Sequence, residues 1–126
     1  MPDLPGHDRP NLEEQLAAIE IYGEKMSEDS LIIGHSMGGF LAMHFVGSLD
    51  VKIDKLICIA PIFNDLHNHV EWDFTTGSAR GIGFCSMRSE YLPEKIKDNV
   101  HNWKVFLSED DPYILFPLAK KHFDSI

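Results

Sequence analysis

A change of hydrophobic period inside one short stretch limits this chain more than anything else in it. Leu31 to Ile33 is a β-branched-rich apolar run, Gly34-His35-Ser36-Met37-Gly38 fits G-x-S-x-G, and Gly39 to Val46 continues as an apolar helix. Strand, sharp turn and helix in that order are the setting of a nucleophile elbow, rather than of a glycine-rich turn with an incidental serine. A serine on so tight a turn sits in strained backbone, so the residues two positions either side, Gly34 and Gly38, are expected to lack a Cβ for steric reasons. Ser36 then projects at the C-terminal edge of the sheet. The helix starting at Met37 aims free N–H groups and its positive dipole end at the same spot, which makes the Met37 N–H the expected oxyanion donor.

The flanking segments read as α/β. Met1 to Pro10 is loop, with three prolines and a glycine. Asn11 to Met26 reads as a helix: Asn11 and Glu14 make a capping-box pattern, and Leu12, Leu16 and Ile19 trace one face. Val51 to Ile59 gives a second strand, and strand, helix, strand at this spacing implies a parallel crossover. Residues 60–92 have no clear period and read as a lid-like excursion, with Trp72, Phe74, Phe84 and Tyr91 as its apolar lining. Pro93 to Asn99 is a short helix with proline at its first position, Trp103 to Leu107 a third strand, and Pro117 to Phe123 a last helix with Leu118, Ala119 and His122 on one face. The expected fold is therefore α/β, a parallel sheet with flanking helices in a three-layer αβα arrangement.

Composition narrows the partners. Eleven basic against twenty acidic residues among 126 give a net charge of −9, which argues against nucleic acid and anionic membranes. No apolar run reaches 18 residues and the N-terminus has no secretory-signal pattern. Two cysteines, Cys58 in an apolar run and Cys85 in a Gly-rich one, make no disulfide framework, so a reducing, cytoplasmic compartment is expected.

A serine nucleophile needs a base, normally a histidine, which in turn needs a carboxylate to fix its tautomer. Asp111 lies after the third strand in Ser108-Glu-Asp-Asp-Pro-Tyr, with Pro112 stiffening the turn; Asp110 is its neighbouring rival and Asp65, after the second strand, a third placement. The histidines fit less well. His122 belongs to a helix face, His101 precedes the third strand at the wrong end of the sheet, His35 reads as a packing residue inside the elbow, His44 as a core histidine, and His7 lies in the opening loop. His67 and His69 alternate near Asp65, Glu71 and Asp73, but nothing fixes a third ligand, so no metal and no other cofactor is expected.

These pieces together resemble a known family. Met1-Pro-Asp-Leu-Pro, Leu31-Ile-Ile-Gly-His-Ser, Glu94-Lys-Ile-Lys and Ser108-Glu-Asp-Asp-Pro-Tyr match the small serine hydrolases of the retinoblastoma-binding-protein-nine and YdeN type, within the α/β-hydrolase superfamily. The resemblance implies Ser36 as nucleophile and Asp111 as triad acid. It also implies that 1–126 is a single, incomplete domain with about three of the family's six strands, truncated at both ends and lacking the first strand and the triad histidine. The expected function is hydrolysis of a small ester or amide through an acyl-enzyme on Ser36, with the chain by itself nearly inactive. The competing expectation is a non-catalytic, hydrolase-like binding module. In either case the elbow strand forms a sheet edge open to self-association.

Overall fold

The computed structural model describes residues 2–6, 11–63 and 91–126. Helix α1 (Leu12–Glu20) starts where the capping pattern placed it, with Asn11 Oδ1 accepting the Glu14 N–H at 3.2 Å. It ends six residues earlier than expected: the chain turns after Glu20 and re-forms one 3₁₀ turn, Gly23–Lys25. Strand β1 (Leu31–His35) leads directly into α2 (Met37–Gly47), followed by β2 (Ile53–Ile59). Helix α3 (Pro93–Asn99) has the expected bounds, β3 (Val100–Phe106) begins three residues early, and α4 (Phe116–Asp124) follows the acidic turn.

The sheet is parallel throughout, in the order β1-β2-β3. Its register pairs Gly34 with Cys58 and Ile59 with Phe106, so the strands finish side by side at one edge. Helix α2 is apolar almost all round, and Phe40, Leu41, Ala42, Met43, Phe45 and Val46 are all buried, because it is packed on several sides. It lies against β1 and β2, with α1 and α3 on its flanks. Leu56 and Cys58 meet it from the sheet and are fully buried. Trp103, paired in register with Leu56, touches Phe123 of α4, so α4 covers the same face.

Asn99 ties these layers together. Its amide donates to Val46 O at 3.0 Å, a carbonyl that also accepts the Leu49 N–H, and to Leu49 O at 2.7 Å in the turn after α2. The opposite sheet face is open among the described residues: Leu31 is 52 %, Ile33 60 %, Ile59 41 % and Phe106 55 % exposed. The second helical layer of a three-layer arrangement does not lie within them. Trp72, Phe74, Phe84 and Cys85, and most of the 60–92 excursion, also fall outside the described residues. No helix among the described residues is long and apolar enough to cross a membrane.

Cys58 is a free, buried thiol, and burial pushes its pKa up to about 11, slightly offset by the indole N–H of Trp103 beside it. Below pH 9 the thiol is neutral in both folded and unfolded chains and costs nothing. Between pH 9 and 11 the unfolded chain ionises while the folded one does not, so stability falls as pH rises. The loss reaches roughly 2 kcal/mol at pH 11 and levels off just under about 3 kcal/mol above it. Urea unfolding of the wild type and Cys58→Ala at pH 8 and pH 11 should therefore show a gap between them that narrows with pH.

Candidate active site

Ser36 is the one residue between β1 and α2, and its backbone is at φ 53°, ψ −119°. A non-glycine residue there stores about 1–3 kcal/mol of strain, which persists only when its surroundings hold it. The hydrogen bonds show what holds it. Its N–H donates to Ile59 O at 2.9 Å, and its carbonyl accepts from Gly39, Phe40 and Ile62 N–H at 3.1, 3.3 and 3.2 Å. The end of β2 and the turn after it thus grip the serine from both sides. Ala60 in that turn is the other described non-glycine residue at positive φ, 42°.

The elbow glycines divide in a way the motif does not reveal. A Cβ on Gly34 would lie 2.4 Å from Gly38 O and 2.6 Å from Gly39 Cα, so this position must be glycine. A Cβ on Gly38 meets nothing within 4 Å, so the steric reason expected there does not apply. The close approach falls instead on Gly39, where a Cβ would sit 2.8 Å from Pro61 Cβ. The turn after β2 packs on that glycine, a constraint carried by residues over twenty positions away.

The Ser36 side chain makes no capping hydrogen bond to α2, and the residue is half-buried. The Met37 N–H, first in the helix, has no intrahelical partner and no other backbone acceptor among the described residues. An anion developing beside Ser36 Oγ would meet this donor and the positive end of α2.

Asp111 lies five residues past the end of β3, at the same sheet edge as Ser36 but two strands across, roughly 10 Å between strand axes. Its Oδ1 accepts the Tyr113 and Ile114 N–H groups at 2.8 and 2.9 Å, which pins a half-buried carboxylate and leaves Oδ2 without a described partner. Its rival Asp110 is exposed and takes the Ser108 hydroxyl at 2.5 Å; that bond, with its own backbone N–H, holds its carboxyl below the usual range.

The described histidines lie elsewhere. His122 Nε2 is 2.6 Å from the Tyr91 hydroxyl and its ring lies 5.1 Å from Phe63, while His44 stands edge-on to Phe40 and Tyr91. Tyr91, read from sequence as lid lining, is buried in this aromatic cluster between α2 and α4. His101 is inside β3, at the end remote from Ser36. His35 is exposed, not packed as expected, because its side of the sheet is the open one. Among the described residues no hydrogen bond joins a histidine to Ser36 or Asp111. His7, His67 and His69, and the acids Asp65, Glu71 and Asp73, lie outside them; within them there is no cluster of three metal-ligating side chains.

Comparisons with known proteins bear on the family and the fold. The model of the alpha/beta hydrolase family matches residues 1–120. Among solved structures, the ydeN gene product from B. subtilis aligns with a TM-score of 0.73 at 19 % identity, over 98 % of this chain and 62 % of that one. The chain therefore spans less than two thirds of that protein's length, and at this identity the likeness is one of fold. No curated protein matches the sequence.

Proposed function

The chain belongs to the alpha/beta hydrolase family, and from that premise we propose that it is a serine hydrolase acting on a small ester or amide through an acyl-enzyme on Ser36. The observation that carries the reading is the strained Ser36 backbone, held by the end of β2 and the turn after it at the start of α2. In the proposed reaction Ser36 Oγ attacks the substrate carbonyl and gives its proton to an imidazole. The Met37 N–H stabilises the oxyanion, the protonated leaving group departs, and water then releases the acid. Asp111, through the Oδ2 that has no partner among the described residues, orients that imidazole and stabilises its charge. We place the protein in the cytoplasm, consistent with its free buried thiol.

Covalent capture tests the reading. A fluorophosphonate should leave its adduct on the peptide containing Ser36, faster as free imidazole is added to supply the base. An adduct elsewhere, or none at high imidazole, rejects it.

Asp111 has a structural and a chemical part, and two substitutions separate them. Asp111→Asn keeps an oxygen for the Tyr113 and Ile114 N–H groups, so its stability should stay within about 1 kcal/mol of wild type. Its imidazole-assisted capture should nevertheless drop by orders of magnitude, because an amide cannot support an imidazolium. Asp111→Ala should show both defects, losing roughly 1–3 kcal/mol in urea unfolding.

A further inference from the structure

We propose that the backbone N–H of Ile62 is a positioning group for the oxyanion donor, acting through the single peptide unit that joins Ser36 to Met37; the inference rests on the hydrolase reading above. The Ser36 carbonyl and the Met37 N–H belong to that one planar, trans unit, so they point in opposite directions and turn together. Whatever holds the Ser36 oxygen therefore sets the direction of the Met37 N–H. Three N–H groups hold it: those of Gly39 and Phe40 in the first turn of α2, and that of Ile62, at 3.2 Å, which comes from outside the helix. The first two move with α2. Of the three, Ile62 alone ties the unit to the sheet.

The turn that delivers Ile62 is built round the serine. In a closed β-turn the Ile59 carbonyl would take the Ile62 N–H itself. Here the Ser36 backbone stands between them: its N–H donates to Ile59 O at 2.9 Å and its carbonyl accepts from Ile62. One turn thereby clamps both peptide planes flanking Ser36, and so fixes φ and ψ, which are the rotations between those planes. For Ile59 O and Ile62 N–H to face the same residue the chain must reverse within three residues. It does so at Ala60, whose φ of 42° is itself strained.

The turn is anchored in its own right. The Ala60 N–H donates to Phe106 O at 2.8 Å at the end of β3, and Pro61, fully buried, packs on Gly39. Two strained residues, set side by side by the pairing of His35 with Ile59, are thus held as one unit. Strain of this kind persists where a site needs a set geometry. The Ile62 bond also strengthens the donor it orients: N–H groups on a carbonyl polarise its peptide, so the Met37 N–H gives a stronger hydrogen bond to an oxyanion.

Replacing the Pro61–Ile62 amide by an ester tests this, because it removes the N–H and leaves every side chain in place. A fluorophosphonate and its thiono analogue, in which sulfur replaces the phosphoryl oxygen, read the consequence, since sulfur accepts hydrogen bonds weakly and gains little from the Met37 N–H. At a fixed imidazole concentration the ester should slow Ser36 capture by the oxygen probe about tenfold or more, part of the ~10²–10³ that a whole donor contributes, and leave capture by the thiono probe within about twofold of wild type. Ile62→Ala, which keeps the N–H but gives up a buried side chain, should unfold at lower urea and retain the wild-type preference for oxygen. Equal slowing of both probes by the ester, no slowing, or a preference lost through Ile62→Ala overturns the proposal while leaving the hydrolase reading in place. If neither probe captures Ser36 in the wild type, the hydrolase reading falls and the proposal with it.

Discussion

Ser36→Ala is expected to abolish fluorophosphonate capture entirely, with no change in the backbone of the elbow. Loss of the nucleophile in a serine hydrolase costs on the order of 10⁶ in rate, so the residual adduct falls below detection at any imidazole concentration. The alanine still has to occupy φ 53°, held by the same hydrogen bonds to Ile59, Gly39, Phe40 and Ile62. Its stability should therefore match wild type. Ser36→Gly gives the complementary result: capture is equally lost, yet the chain unfolds at higher urea, by about 1 kcal/mol, because glycine occupies this region without strain. If both variants retain the adduct, the nucleophile is another residue. If the glycine variant is no more stable than the alanine, the strain attributed to the elbow is absent.

The second large effect is on folding. Gly34→Ala should leave the chain largely unfolded, because the added methyl would lie 2.4 and 2.6 Å from backbone atoms of Gly38 and Gly39, which cannot swing aside as a side chain can. Overpacking against mobile neighbours costs typically 1–3 kcal/mol. Here β1 and α2 must separate, so a loss of about 4 kcal/mol or more is expected. Gly38→Ala, inside the same motif, has the opposite sign: its Cβ meets open space, and alanine gains up to about 1 kcal/mol of helix propensity. Circular dichroism with urea titration of the two variants is sufficient. Equal destabilisation would show that the motif acts as a unit, not through the one contact at Gly34.

What the residues disclosed in advance was whatever depends on near neighbours. The elbow, the Asn11 cap and the Pro93–Asn99 helix each follow from a few adjacent side chains, and each stands where it was expected. What stayed hidden depends on partners distant in sequence. β3 starts at Val100 because Asn99 is fastened to Val46 and Leu49, about fifty positions away, which fixes the helix-to-strand junction with no loop between. The glycine requirement lies at Gly39 rather than Gly38 because Pro61 packs there. Tyr91 is a core residue because His122, thirty-one positions on, meets its hydroxyl. Ser36 and Asp111 were both legible as candidates, since each sits just beyond a strand end. The two backbone bonds that fix Asp111 Oδ1 were not, because turn geometry after a strand leaves little trace in composition.

The strand order carries a consequence for how the molecule assembles. β1 and β2 are separated by little more than helix α2, whereas β2 and β3 are joined by about forty residues, between Ile59 and Val100. Closing the longer connection costs only about 0.7 kcal/mol more in chain entropy, but that contact has to form after a wider search, and parallel pairing offers no hairpin to shorten it. The β1-α2-β2 unit is thus the early-forming part of the molecule and β3 the late one. Substitutions in the first unit, such as those at Ile32 or Leu56, should slow refolding, while those in β3, such as Val105→Ala, should chiefly hasten unfolding. On this order Ser36 is mounted before Asp111 arrives, so folding keeps the proposed nucleophile and its proposed acid apart until the sheet is nearly complete.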